Sequence, residues 1–112
     1  MSENDLIRLR HMLDAAAEAL SFLKGKSRGD LDDDRMLALA LIAEIQIVGE
    51  AASRVSPECR EGITSIPWGE IIGMRNRLIH GYADINLDIL WDTVNLALGP
   101  LILELEPLVR RG

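Results

Sequence analysis

Apolar residues recur at intervals of three and four along most of this 112-residue chain, the spacing of one face of an α-helix. The first such stretch runs from about Glu3 to Lys24, with Leu6, Leu9, Leu13, Ala16, Leu20 and Leu23 as its stripe. Ser2 followed by Asp5 reads as a variant of the capping box that opens a helix. The segment Lys24-Gly25-Lys26-Ser27-Arg28-Gly29 then breaks the pattern with glycines and basic charge. A second helix is expected from the acidic cluster Asp30, Asp32, Asp33 and Asp34, where carboxylates meet the positive end of a helix dipole, to roughly Arg54. Leu37, Leu41, Ile45, Val48 and Ala52 form one of its stripes, but Met36, Leu39, Ala43 and Ile47 are apolar too. A helix apolar on two sides needs two partners, a core on one side and a second subunit on the other.

Ser56-Pro57 starts a loop expected to last to Ile66, and Pro67 suits the first turn of a third helix through Trp68, Ile71, Ile72 and Leu78. Gly81 is a plausible stop, and Asp84 or Asn86 the cap of the next helix. The last helix carries a seven-residue repeat, Leu87, Val94, Leu101 and Leu108, interleaved with Trp91, Leu98 and Leu105. Pro100 has no N–H for the helix ladder, so a kink is expected at Gly99-Pro100. No β-alternating run or internal repeat intervenes. The reading is all-α: one domain over residues 1–112, an up-and-down four-helix bundle with short connections.

Composition narrows the chemistry. A net charge of −6 disfavours a broad nucleic-acid face, so any RNA contact must be local or formed on assembly. Cys59 is the single cysteine, which leaves no internal disulfide and no cysteine-based metal site. The N-terminus lacks a signal-peptide pattern, and the uninterrupted apolar run Met36 to Ala43 is far short of a membrane span. These features point to a soluble, cytoplasmic protein with no membrane partner.

Residues suited to chemistry are scarce. The chain has two histidines and one tyrosine, and one of those histidines and the tyrosine fall in Arg75-Asn76-Arg77-Leu78-Ile79-His80-Gly81-Tyr82. An arginine holds phosphate charge with a planar fork of donors, and a histidine moves a proton near neutral pH. RNA brings its own nucleophile in the 2′-hydroxyl, so Arg75 and His80 could suffice for phosphodiester cleavage, with Asn76 and Arg77 in support. Geometry complicates this. On a continuous helix, residues five apart stand roughly 140° apart around the axis. The helix must end near His80, or two subunits must share the site. A structural reading stays open: Arg75 paired with Glu70 or Asp84, His80 capping a helix end, Tyr82 packed with its hydroxyl exposed. His11 reads as solvated, and Glu44 and Glu50 as paired or exposed acids. Neither metal nor cofactor is implied.

The stretch RNRLIHGY resembles the signature of the HEPN superfamily, specifically the HepT-like toxins of prokaryotic toxin–antitoxin pairs. Their pattern is an Arg, four residues, a His, one residue and a Tyr, matched by Arg75, His80 and Tyr82. The runs AEIQIVGEAASRVSPE, IPWGEIIGMRNRLIHGY and DINLDILWDTV extend the resemblance over the last two-thirds of the chain. It implies a homodimer with the motifs facing across the interface, and metal-independent endoribonuclease activity with Arg75 and His80 as the catalytic pair. It also implies an MntA-type minimal nucleotidyltransferase as antitoxin, transferring AMP to Tyr82, as in the type VII class of such pairs. The alternative is a catalytically inactive HEPN dimer that serves as the nucleotidyltransferase's binding partner.

Overall fold

The expected caps are in place in the computed structural model, which describes residues 1–80 and 84–111, without the side chains of His80 and Arg111. Helix α1 (Glu3–Leu23) begins where the Ser2 Oγ accepts the Asp5 amide at 3.1 Å. The Asp5 carboxylate chiefly serves another helix. It accepts both the amide and the hydroxyl of Ser56, each at 2.8 Å, and so ties the start of α1 to a segment 51 residues away. Ser56 in turn caps a short helix α4 (Pro57–Gly62), where continuous loop was expected. Ser-Pro at a helix start is the sequence cue for it: a cap followed by proline at the first position.

The expected second helix divides in two. Asp30–Asp33 makes a single turn, α2, and Arg35–Ser53 makes α3, with Asp34 between them in extended conformation and its carboxylate accepting the Leu37 amide at 3.0 Å. Four aspartates in five residues favour caps over helix interior, because each side chain competes for nearby backbone amides. Arg28 fastens this corner by bonding Asp32 at 3.1 Å and Asp88 at 2.7 Å.

Helix α5 (Trp68–Leu78) starts one residue later than expected, with Pro67 at its N-cap position. The Trp68 Nε1 donates to the Ile63 carbonyl at 3.0 Å, which locks the α4–α5 connection. After α5, strands β1 (Ile79–His80) and β2 (Asp84–Ile85) form a two-residue antiparallel ladder that the sequence did not signal. Asn86, of the two expected caps, opens α6 (Leu87–Asp92) by accepting the Ile89 amide at 3.0 Å. The last helix then passes through a π-helical segment, Thr93–Leu98, before α7 (Gly99–Arg111). This irregularity falls at the expected place. Pro100 cannot donate and its ring crowds the carbonyl four residues back, so the turn before it widens.

Helix α3 packs against α1 and α5, and α7 closes the bundle on α1. Leu41, Ile45, Val48 and Ala52 are buried as expected, as are Val94, Leu98, Leu101 and Leu105 of the last helix. The α1 core is centred on Leu9, Met12, Ala16 and Ala19, slightly round from the expected stripe. On the far side of α3, Met36, Leu39 and Ile47 are 82%, 46% and 45% exposed. By length and composition α3 could cross a membrane, with Glu44 and Glu50 the acids along it, yet half of it is buried inside this bundle.

The Ser56 amide and hydroxyl hold the Asp5 carboxyl below its ordinary 3.8. Its stabilising contribution is therefore present above that value and lost as pH falls through the lower folded-state value. Asp5→Ala should lower the thermal midpoint at pH 7, and the gap from the parent protein should narrow below about pH 4. Melting curves by circular dichroism from pH 3 to 8 check this.

Candidate functional site

The end of α5 decides how the motif is presented. The helix stops at Leu78, whose carbonyl accepts the Asn86 amide at 2.9 Å, and Ile79 is extended. His80 therefore lies beyond the helix, which lifts the restriction of a continuous helix on how Arg75 and His80 can be disposed. Backbone register pairs His80 with Asp84 across the ladder. The expected stop at Gly81 and the motif tyrosine, Tyr82, lie outside the described residues.

Arg75 and Asn76 open together on a groove between α3 and α5, a hollow of about 310 Å³. Its other wall carries Gln46, Gly49, Glu50 and Ser53 of α3. Gly49 allows that wall to come close: a Cβ there would lie 3.4 Å from the Ile72 carbonyl oxygen and 3.5 Å from that of Ile71. Arg75 is exposed and makes no ion pair or side-chain hydrogen bond with any described residue, so neither Glu70 nor Asp84 neutralises it. An unpaired guanidinium beside Asn76 and Ser53 is suited to bind an anion.

Arg77 is turned elsewhere. Its Nη2 donates to the Glu70 carbonyl at 3.1 Å, and it borders a separate apolar hollow with Met74, Leu96 and Leu101. The structure thus groups Asn76 with Arg75 and separates Arg77 from both. Gln46 and Ser53 are polar neighbours that sequence reading missed, and Glu50, expected as a paired or exposed acid, is exposed beside them. Their signal was present in the spacing, since 46, 50 and 53 lie on one face of a helix. What was missing was which face meets α5. Among the described residues, no group of three or more His, Cys, Asp or Glu side chains is placed to hold a metal ion.

The family model for HepT-like ribonucleases matches residues 12–108. The chain belongs to the HepT-like ribonuclease family. It is 37% identical over 86 residues to a protein of Caldanaerobacter subterraneus subsp. tengcongensis named as a proposed RNase, with 77% of each chain covered. Another relative, named in the same way, comes from Methanocaldococcus jannaschii; it is 33% identical over 95 residues, covering 84% of this chain and 87% of its own. A protein of Thermococcus cleftensis provisionally named ribonuclease HepT is 31% identical over 86 residues, 73% of this chain and 78% of the relative. No solved structure matches the chain significantly. In this HepT-like chain the Arg75 side chain makes no ion pair or hydrogen bond with a described residue. Arg75→Ala should therefore shift unfolding free energy by no more than about 0.5 kcal/mol, as surface substitutions do. Leu78→Ala, at a fully buried position on the same helix, should cost about 2–5 kcal/mol. Urea denaturation of the two variants checks the contrast.

Proposed function

We propose that this protein is a metal-independent endoribonuclease and the toxin of a prokaryotic toxin–antitoxin pair, with Arg75 and His80 as its catalytic pair. The observation that carries the reading is the solvent-facing guanidinium of Arg75 in the α3–α5 groove, five residues before His80, in a chain of the HepT-like ribonuclease family. In this mechanism the RNA 2′-hydroxyl attacks the adjacent phosphorus and the 5′-oxygen of the next nucleotide leaves. The hydroxyl proton passes to a base and the leaving oxygen takes one from an acid, giving 2′,3′-cyclic phosphate and 5′-hydroxyl ends. His80 serves in these proton transfers, while Arg75 holds the phosphate as charge builds on its oxygens. Asn76 supports it with a hydrogen bond.

The active unit is a homodimer. Its interface is the second apolar face of α3, Met36, Leu39, Ala43 and Ile47, which the bundle leaves in water. A two-fold axis there brings two motifs together, so that one His80 acts as base and the other as acid. The cognate antitoxin is an MntA-type nucleotidyltransferase that moves AMP to Tyr82. The added phosphate repels the phosphate of an incoming RNA.

Purified, unmodified protein should cut RNA in EDTA and leave 2′,3′-cyclic phosphate ends. His80→Ala should lose at least about 100-fold in rate, and Arg75→Ala a comparable amount. A folded, unmodified dimer that leaves total RNA intact would instead favour the non-catalytic partner of a nucleotidyltransferase. Leu39→Glu or Ile47→Glu should yield a folded monomer by light scattering; an unchanged dimer would place the interface elsewhere. Tyr82→Phe should keep cleavage and refuse AMP from the nucleotidyltransferase, and uptake of label by that variant would remove Tyr82 as acceptor.

A further inference from the structure

The groove between α3 and α5 carries opposite charges on its two walls. Arg75 and Asn76 bring donors from α5, and α3 contributes the Glu50 carboxylate with Gln46 and Ser53 beside it. Glu50 is exposed and, like Arg75, makes no ion pair or side-chain hydrogen bond with any described residue. The Ser53 hydroxyl donates to the Glu50 carbonyl at 2.7 Å, so its oxygen is left as an acceptor. An arginine and a glutamate that line one hollow without pairing leave both charges to a ligand. A bare phosphate gains at Arg75 and loses at Glu50, so phosphate binding alone does not account for the carboxylate. A nucleotide whose base carries donors gains at both walls.

We propose that the α3 wall is a base-reading subsite, in which the Glu50 carboxylate takes the Watson–Crick edge of a guanine next to the phosphate held by Arg75. Guanine is the base whose edge presents two adjacent donors, N1–H and N2–H, and a carboxylate accepts both in parallel. Adenine and cytosine offer one amino donor beside a ring nitrogen that repels the carboxylate, and uracil offers one N–H between two carbonyls. This edge is free only in unpaired RNA, which makes the substrate a single-stranded segment. The hollow of about 310 Å³ lies at the lower end of the roughly 300–1,000 Å³ usual for ligand clefts, room for one nucleotide rather than a folded element. Ile45 and Ile72 give the ring an apolar floor. Glu50 stands one turn beyond Ile47, so the subsite opens where the exposed apolar stripe of α3 ends, at the rim of the proposed dimer.

The inference rests on the ribonuclease reading above, and two measurements separate the fate of one from that of the other. In the first, the 5′-monophosphates of guanosine, inosine, adenosine, cytidine and uridine are titrated into the whole unmodified protein while the methyl resonances of Ile45 and Ile72 are followed by NMR. GMP should bind at least about tenfold tighter than AMP, CMP or UMP, with IMP, which lacks the 2-amino group, in between. Glu50→Gln, at an exposed position, should remove the advantage of GMP, whereas Arg75→Ala should weaken all five by a similar factor. In the second, uridine oligonucleotides carrying one G, A or C are incubated with the protein in EDTA, and cleavage should be about tenfold faster beside G. No saturable shift with GMP, equal binding of GMP and AMP, or a GMP preference that survives in Glu50→Gln would overturn the subsite, even where RNA is cut. A GMP preference lost in Glu50→Gln, from a protein that cuts none of the oligonucleotides, would uphold the subsite and overturn the ribonuclease reading instead.

Discussion

Everything else in this molecule is arranged around α3, which must satisfy two different environments along one helix. On one side Leu41, Ile45, Val48 and Ala52 vanish into the core between α1 and α5. This burial is apolar, and it is non-directional. At Gly49 the two helices lie close, with the α5 backbone within ordinary contact distance of a Cβ placed there. That approach sets the width of the groove in which Arg75 and Asn76 stand across from Gln46, Glu50 and Ser53. The candidate site is therefore a by-product of helix packing, held by the core rather than by a network of its own.

Two acids depart from this apolar packing. Asp5 and Glu44 are the two buried acids among the described residues, and the structure treats them in opposite ways. Asp5 receives two donors from Ser56 and stays charged at low cost. Glu44 receives none at its buried oxygen, and burial raises its affinity for a proton. Donors from Ser56 decide the matter for Asp5, and burial beside the Glu18 carboxyl decides it for Glu44.

Much of this was legible in the residues, and the misses have physical causes. Periodicity located all four long helical segments, and the double apolar face of α3 followed from counting which positions were apolar. A kink at Gly99-Pro100 was legible because proline removes a donor regardless of context, whereas the π-helical form of the segment before it was not. Periodicity could not divide α2 from α3, since the dividing signal at Asp34 is a side-chain cap and not a change in hydrophobic spacing. Nor could it find the end of α5 at Leu78, which depends on the Asn86 amide returning across the chain to the Leu78 carbonyl. The motif itself was visible as a string. That Asn76 joins Arg75 while Arg77 turns to the Glu70 carbonyl depends on where α3 lies, and local spacing does not carry that information.

The boundary at Leu78 also divides the motif between two kinds of support. Arg75 stands on a helix whose inner face is part of the core, and it moves only if the bundle does. His80 stands on a ladder two residues long, and a pairing of that size has little stability of its own. Its opening is a local event, far less costly than global unfolding. The motif's arginine and histidine thus rest on supports of unequal strength, one a helix packed on the core and the other a pair of backbone rungs.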